Sequence, residues 1–253
     1  MEVALLTIGD ELLAGDTANT NATWLAERLT ERGVTVTRIL TIPDERALIA
    51  DRVREYSDAF DAVIVTGGIG GTPDDVTVDA VADAFDRDLV VSEQARHAVE
   101  ERLEDIGDAV PDLDLDVDAE ATIPEGARPL LNPQGLAPGC VVENVYVFPG
   151  IPQELKAMFG EIAEEFSGAA VSHFLYTTEP EANIIPTLED VAAEFDVAVG
   201  CYPDRNARHN RLKITAEDDE TLGAATAYLR ERIETSETPV ERDWSRDDAY
   251  GEK

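Results

Sequence analysis

The sequence predicts an α/β protein, in which helices cover both faces of a mostly parallel sheet and a smaller α+β domain follows. Apolar β-branched runs of strand length alternate with segments of helical apolar spacing over the first two thirds of the chain. Near residue 169 the pattern changes, and two strands then follow one another directly. We therefore predict one domain over 1–168, a small α+β domain over 169–238, and a polar tail over 239–253.

Each element of the first domain has its own local signal. Asn19 is a good N-cap for the first helix and Gly33 ends it, whereas Ser92 caps a later polar helix that Gly107 ends. The predicted strands are 3–8, 34–42, 60–66, 128–131 and 140–148. The predicted helices are 22–32, 45–56, 76–85, 92–107 and 153–166. The acidic stretch 108–118 is expected to be a surface loop.

The second domain is predicted from a β-α-β-β-α order. Its strands are 171–178, 197–202 and 211–215, and its helices are 185–195 and 220–233. Basic residues, which are rare in this chain, gather in and beside the loop 204–210: Arg205, Arg208, His209 and Arg211. They could reach a ligand phosphate or a neighbouring subunit, but we expect them to pair with local carboxylates.

The charge balance excludes several classes of partner. The chain carries 54 acidic and 20 basic residues, for a net charge of −34 at pH 7. Without a basic patch we expect no binding to nucleic acid. No apolar run reaches the roughly 18 residues of a membrane span, and no signal-peptide pattern precedes the first strand, so we expect a cytoplasmic protein that does not bind membranes. Cys140 and Cys201 are too few for a disulfide scaffold and are expected to act as small apolar side chains.

The acidic residues are spread along the whole chain, which has only three lysines. This composition is typical of proteins from salt-loving organisms, because high ionic strength screens the repulsion among surface charges. The alternative is an ordinary acidic protein.

A glycine-rich loop follows the third predicted strand and is the strongest functional signal. Gly67, Gly68, Gly70 and Gly71 lie between this strand and the next helix. Glycines let the backbone approach a ligand, and the first amides of a helix are free to bind a phosphate. The loop lacks the Gly-Lys-Ser/Thr of a P-loop and fails the G-x-G-x-x-G pattern at Pro73.

Carboxylates accompany this loop. Asp10, Asp44 and Asp75 each follow one of the first three strands, so all three are expected at the same edge of a parallel sheet. A carboxylate at a phosphate cradle repels phosphate unless a cation lies between them, which points to Mg²⁺ or a similar ion. In the alternative interpretation, Asp44 and either Asp74 or Asp75 cap their helices and Asp10 closes a turn.

A family resemblance rests on four stretches. They are TIGDELL at 7–13, TGGIGGTPDD at 66–75, NPQGLAPG at 132–139 and FPGIP at 148–152. Together, and in this order over about residues 1–235, they resemble the competence/damage-inducible protein A (CinA) family, which shares the molybdopterin-binding fold of the MoaB and Mog type. The amidase domain of bacterial members has no counterpart here, so we expect no amidase activity.

The resemblance implies one of two reactions. In the family proper, this domain is associated with metal-dependent cleavage of nucleotide pyrophosphates such as ADP-ribose. In the Mog-type relatives, the same loop binds molybdopterin, which is adenylylated with ATP and Mg²⁺. The third possibility is a nucleotide or pterin carrier without chemistry.

The resemblance also implies site residues. Asp44 and Asp75 match the family's two functional carboxylates, and we expect them to hold the metal. Apart from the resemblance, we expect Asp10 to orient water or a second ion. The loop residues expected to contact the nucleotide or pterin are Gly67, Gly68, Gly70, Gly71 and Thr72, with Asn132, Gly135, Pro138 and Gly139 from the second loop. Gly71 departs from the proline more usual there. A homo-oligomer is expected, as in Mog-type relatives.

Overall fold

A computed structural model describes residues 1–106, 115–204 and 207–240 of the chain. It divides into two compact units, of which the first ends at Gly168 and the second begins at Ala169. The expected helix stop Gly107, the basic residue Arg205 and the tail from 241 onward lie outside the described residues. Within those residues, no helix combines the length and the apolarity needed to cross a membrane.

The first unit contains eight strands and seven helices within the described ranges. The strands are β1 (Glu2–Ile8), β2 (Thr35–Ile42), β3 (Ala62–Thr66), β4 (Leu89–Val91), β5 (Thr122–Pro124), β6 (Arg128–Leu130), β7 (Gly139–Val142) and β8 (Val145–Phe148). The helices are α1 (Asp10–Ala14), α2 (Thr20–Glu31), α3 (Arg46–Ala59), α4 (Thr77–Ala84), α5 (Glu93–Ile106), α6 (Val117–Glu120) and α7 (Pro152–Ile162), the last followed by a 3₁₀ turn (Ala163–Glu165).

A six-stranded sheet in the order β2-β1-β3-β8-β7-β6 organises the first unit. The first four of these strands run parallel, and β7 and β6 complete the sheet as antiparallel neighbours. Thr7 is in register with both Thr41 and Thr66, and Thr66 is in register with Phe148. The carboxyl ends of β2, β1, β3 and β8 therefore lie side by side at one edge, and the predicted mostly parallel sheet is confirmed.

Both faces of the sheet are buried, as the continuous apolar strands require. Successive side chains of β1 alternate between the faces, so that Leu5 packs with α2 and α7 while Leu6 packs with α3 and α4. Each fully buried leucine or isoleucine contributes about 1.5–3 kcal/mol by leaving water. The result is a three-layer unit in which two pairs of helices hold the central strands rigidly.

The sequence prediction of one strand over 140–148 is wrong, because the structure has a hairpin of β7 and β8 there. Glu143 takes a positive φ of 52° at the turn. The Asn144 side chain donates hydrogen bonds to the carbonyls of Ser57 (3.0 Å) and Phe60 (2.9 Å), which anchors the turn to the end of α3. The sequence did not predict the short antiparallel pair of β4 and β5. It also did not predict α6, which begins inside the expected acidic loop.

The second unit is the predicted small α+β domain. Its elements are β9 (Val171–Thr177), α8 (Glu181–Glu194), β10 (Ala198–Asp204), β11 (His209–Ala216) and α9 (Asp219–Arg230). The strands form an antiparallel sheet in the order β10-β11-β9. Leu175, Leu212 and Ile214 pack with apolar side chains of α8 and α9 to form its core.

The expected basic loop is interrupted, because β11 already begins at His209. The His209 ring is buried, and its Nδ1 donates to the Val240 carbonyl at 2.8 Å. Arg211 lies over the rings of Phe174 and Tyr202. The prediction of pairing with carboxylates is therefore wrong for His209 and Arg211 within the described part of the chain.

We predict that molar KCl raises the melting temperature of this protein. With a net charge of −34, the folded surface repels itself, and salt screens that repulsion within a few ångströms. Thermal unfolding followed by circular dichroism in low and molar KCl tests this, with sorbitol at matched osmolality as the control. Equal melting temperatures in the two salt conditions would contradict it.

Candidate functional site

A cavity of about 590 Å³, which we call the large cavity of the first unit, lies at the carboxyl ends of the four parallel strands. The ends of these strands and the residues after them line the cavity: Ile8 at the end of β1 with Gly9 and Glu11 after it, Asp44 after β2, Gly67 to Gly71 with Asp74 and Asp75 after β3, and Pro149 to Pro152 after β8. In parallel α/β sheets this edge is where ligands bind.

The loop after β3 is folded in a way that only glycine permits at its first two positions. Gly67 has a φ of 100°, and a Cβ there would lie 2.2 Å from the carbonyl oxygen of Ile8. Gly68 has a φ of 66°, and its Cβ would lie 2.5 Å from the Thr77 hydroxyl. The Gly67 amide donates to the Phe148 carbonyl at 3.1 Å. The backbone therefore leaves β3 pressed against β1 and tied to β8.

Several polar groups of this region have no protein partner. The amides of Gly68, Ile69, Gly70 and Gly71 find no acceptor among the described residues. The buried hydroxyl of Thr77, at the start of α4, likewise makes no hydrogen bond within the described chain. Gly70 and Gly71 are exposed, so water can reach their amides, whereas Gly68, Ile69 and the Thr77 hydroxyl are partly or fully buried. Donors grouped in this way favour a ligand with several acceptor oxygens, such as a phosphate or diphosphate.

Asp44 lies against this loop. Its Oδ2 accepts a hydrogen bond from the Asp10 amide at 3.0 Å, and its Oδ1 lies 3.1 Å from the position of a Cβ on Gly68. Burial raises the pKa of Asp44, and the negative charges of Asp10, Glu11 and Asp74 raise it further, although the Asp10 amide opposes them. Its side chain does not cap α3, whose N-cap Glu45 has no side-chain hydrogen bond.

The Asp10 side chain is not among those that line the cavity, and the residue is exposed. Its contact with the site is the backbone amide that holds Asp44. A role in orienting water stays a prediction.

Asp75 holds the far end of the glycine loop. Its Oδ2 accepts hydrogen bonds from the amide and hydroxyl of Thr72, at 3.0 Å and 2.6 Å. The same hydroxyl lies 2.5 Å from Asp74 Oδ1 and can donate its single proton to one carboxylate at a time; this hydrogen bond lowers the pKa of Asp74. Neither aspartate caps α4, because its N-cap Val76 has no side-chain hydrogen bond. The capping alternative is therefore wrong for this helix.

Glu120, at the end of α6, is a site residue that sequence reasoning missed. It lines the large cavity, and its Oε1 lies 2.7 Å from the position of a Cβ on Gly71. Burial raises the pKa of Glu120, and the negative charge of Asp75 raises it further. No motif marks this residue in the sequence, because it lies next to a long acidic stretch of no distinctive pattern.

Asn132 organises the second predicted loop from beneath. Its Oδ1 accepts from the amides of Gln134 (3.1 Å) and Gly135 (2.8 Å). Its Nδ2 donates to the Ala137 carbonyl (3.0 Å) and to Glu154 Oε2 (2.8 Å). Neither Asn132 nor Gly135 lines the large cavity, whereas Ala137 does. Asn132 therefore shapes the wall that the loop presents.

The two remaining predicted residues lie elsewhere. Gly139 belongs to β7, where a Cβ would lie 2.1 Å from the Val147 carbonyl, so its glycine serves strand packing. Pro138 lines a smaller cavity of about 250 Å³ beyond Gly70, Gly71 and Thr72. Glu120 borders both cavities.

The electrostatics of the large cavity are one-sided. In the described part of the chain, its ionisable lining consists of carboxylates alone: Glu11, Asp44, Asp74, Asp75, Glu120 and Glu154. Among the described residues, no group of three or more Asp, Glu, His or Cys converges closely enough to hold a metal ion. Magnesium is commonly held by one or two carboxylates together with substrate phosphates, a mode of binding that needs no such group of three.

Two family models match the chain, and they meet between residues 168 and 169. The model described as "Probable molybdopterin binding domain" matches residues 4–168. The model described as "FAD synthase, middle domain" matches residues 169–240.

Similar proteins extend over nearly the whole chain. A protein of Archaeoglobus fulgidus is 36% identical over 235 residues, which are 92% of this chain and 98% of the relative. A "CinA-like protein" of Citrifermentans bemidjiense is 36% identical over 244 residues, which cover 92% of this chain and 58% of that longer protein. A crystal structure of the protein CinA from Thermoplasma acidophilum matches 66% of this chain and 99% of its own, with 31% identity and a TM-score of 0.59.

We predict that Gly67→Ala lowers the free energy of unfolding by about 3 kcal/mol, because a Cβ with this φ meets the Ile8 carbonyl. Gly160→Ala is the matched control: Gly160 is exposed in α7, nothing lies within 4 Å of its Cβ position, and alanine is the better helix former. Urea unfolding of both variants measures the difference. Equal stability of the two variants would contradict the geometry of the loop.

We predict that Glu120→Gln raises the melting temperature near neutral pH. Because the native pKa of Glu120 lies above its ordinary value, ionisation costs more in the folded than in the unfolded state. The gain should be present above the raised pKa and vanish below about pH 4, where the carboxyl is neutral in both states. The exposed Glu125→Gln is the control for simple loss of charge, and an equal, pH-independent gain in both variants would refute the assignment.

Proposed function

Because this chain belongs to the MoaB/Mog-type family of molybdopterin-binding domains and is CinA-like along its length, we propose that it is a metal-dependent nucleotide pyrophosphatase acting on ADP-ribose-like substrates. One observation carries the proposal. Four loop amides without an acceptor in the described chain border a cavity whose described ionisable lining is entirely carboxylate. A diphosphate bound with a cation complements both features.

The amides of Gly68 to Gly71 would bind the phosphate oxygens. The charge of a phosphate next to Asp44 and Asp75 would be repelled without a cation, since the described part of the lining holds no basic side chain. A divalent ion such as Mg²⁺, held by Asp75 and Asp44, would supply the charge neutralisation that brings a diphosphate to this cavity.

The proposed reaction is hydrolysis at phosphorus. A water oxygen attacks one phosphorus of the diphosphate, a new P–O bond forms, and the bridging P–O bond breaks. The bridging oxygen leaves with the other phosphate, and the water proton passes through a cavity carboxylate to the solvent. ADP-ribose would yield AMP and ribose 5-phosphate.

Asp44 is well placed to hold the divalent ion. Burial and the negative charges of Asp10, Glu11 and Asp74 raise its pKa, and a bound cation would offset that cost of ionisation. The Asp10 amide fixes Oδ2 and leaves Oδ1 toward the glycine loop. Asp10 would thus act as a positioning residue for Asp44, in addition to any contact of its own with water.

FAD is a second substrate of the same chemical class. It joins AMP to a flavin nucleotide through a diphosphate, and the match of the second unit to the middle domain of FAD synthase favours testing it.

The alternative function is that of a molybdopterin-binding protein, either as an adenylyltransferase or as a carrier. The description of the matching family favours a pterin ligand. The same loop amides could hold the phosphate of a pterin. Because MoaB/Mog-type proteins often assemble as oligomers, we also propose a homo-oligomer, which sedimentation would test.

One incubation separates these functions. The protein is mixed with Mg²⁺, Mn²⁺ or Co²⁺ in molar KCl, and AMP is measured after addition of ADP-ribose, FAD or ATP. Metal-dependent release of AMP from ADP-ribose or FAD supports the pyrophosphatase. AMP-loaded molybdopterin formed from ATP and molybdopterin supports the transferase, whereas tight binding without turnover supports the carrier.

We predict that Asp75→Asn lowers turnover by about 100-fold or more while nucleotide binding survives at high Mg²⁺. An asparagine oxygen can still accept the hydrogen bonds from Thr72, so the loop should remain folded while the charge is lost. Asp190→Asn makes the same change on the exposed side of α8 and should leave turnover unchanged. Full activity of the Asp75 variant would remove this residue from the mechanism.

A further inference from the structure

The sheet of the second unit has one face that its helices do not cover. Leu175, Leu212 and Ile214 face α8 and α9, and the residues that alternate with them point to the opposite face. Phe174 and Tyr202 are 38% and 49% exposed on this open face. Two large aromatic rings in contact with solvent favour a ligand that stacks on them.

Basic side chains accompany these aromatic rings. In the sheet register, Arg211 lies between Tyr202 on β10 and Tyr176 on β9. Its guanidinium is 5.5 Å from the centroid of Tyr202 and 5.3 Å from that of Phe174. No carboxylate of the described chain lies within ion-pair distance of Arg211, although the protein has 54 acidic residues. This arginine is therefore available to an anion that approaches the open face.

A cavity of about 680 Å³ opens beside this row, lined by Tyr176, Tyr202, Pro203, Asp204, Ala207, His209, Arg211 and Pro239. The His209 ring meets Tyr176 edge to face at 5.2 Å. Because Nδ1 of His209 donates to the Val240 carbonyl, the ring is fixed and its Nε2 is left for another partner. The Asp204 carboxylate accepts from the Ala207 amide at 2.9 Å, as part of the hairpin turn.

We propose that this cavity binds a planar heteroaromatic ring carrying a single phosphate, as in a nucleoside monophosphate or a flavin mononucleotide. The exposed tyrosine would stack on the ring, and Arg211 would bind the phosphate. The cavity volume is within the range of about 300–1,000 Å³ of small-molecule sites. A polynucleotide is disfavoured, because a chain with net charge −34 repels a long polyanion. The site is built from residues of the second unit, and the proposal does not depend on the proposed hydrolysis.

The three histidines of the chain give a site-specific readout. NMR of their imidazole signals is recorded on the full chain, at constant KCl, during titration with AMP to about 10 mM, a concentration that saturates a site of millimolar affinity. We expect saturable shifts of His209 alone. His97 lies in the first unit, and His173 is in register with the core residue Ile214, so both serve as internal references.

Two variants and two simpler ligands complete the test. Arg211→Gln should weaken AMP binding about tenfold or more, because a charge-assisted phosphate contact is lost. Lys213→Gln removes the same charge one row away, outside the cavity, and should leave the affinity unchanged. Adenosine and inorganic phosphate should each bind more weakly than AMP, and a parallel titration with FMN decides which ring is preferred.

Several outcomes would overturn the proposal. They are an unmoved His209 signal with both AMP and FMN, equal shifts of all three histidines, equal loss of affinity in the Arg211 and Lys213 variants, or phosphate alone binding as tightly as AMP.

Discussion

The contact between the backbone of Gly67 and the carbonyl of Ile8 is the constraint on which the candidate site depends. Two parallel neighbours, β1 and β3, end at the same level, and the chain leaving β3 passes so close to β1 that no Cβ fits between them. The amides that follow are carried away from every strand, so they cannot be satisfied by the sheet. A rigid three-layer core holds this arrangement in place, because the strands on both sides are buried on both faces.

Charge gives the cavity at the glycine loop and the cavity beside the small sheet opposite characters. At the carboxyl edge of the parallel sheet, carboxylates surround bare amides, and Asp44 and Glu120 both have raised pKa values because burial and neighbouring charges disfavour ionisation. The proposed cation would neutralise part of this charge. On the open face of the small sheet, Arg211 lies among aromatic rings with no carboxylate partner among the described residues. An anion could approach there directly, in a chain whose surface otherwise repels anions.

The resemblance to CinA-like proteins and the local geometry support the proposed chemistry from different directions. Family membership rests on sequence over nearly the whole chain, whereas the chemistry rests on which atoms around the glycine loop lack partners. Asp75 illustrates the distinction. As a helix cap, its carboxylate would accept hydrogen bonds from the first amides of α4. In the structure, Oδ2 instead accepts from Thr72, and α4 begins without a side-chain cap. The carboxylate therefore shapes the loop and stays at the edge of the cavity.

The sequence by itself determined the fold class, the boundaries of most helices and strands, and the position of Asp44 and Asp75 at one edge of the sheet, because apolar periodicity and the geometry of parallel strands are local or nearly local rules. Tertiary structure decided the rest. Glu120 reaches the site from a short helix distant in sequence. Asn132 accepts hydrogen bonds from the amides of its loop. The hairpin at Glu143 depends on hydrogen bonds to the end of α3. Contacts between distant segments produce no periodic pattern in the sequence, so the roles of these residues can be identified only from the tertiary structure.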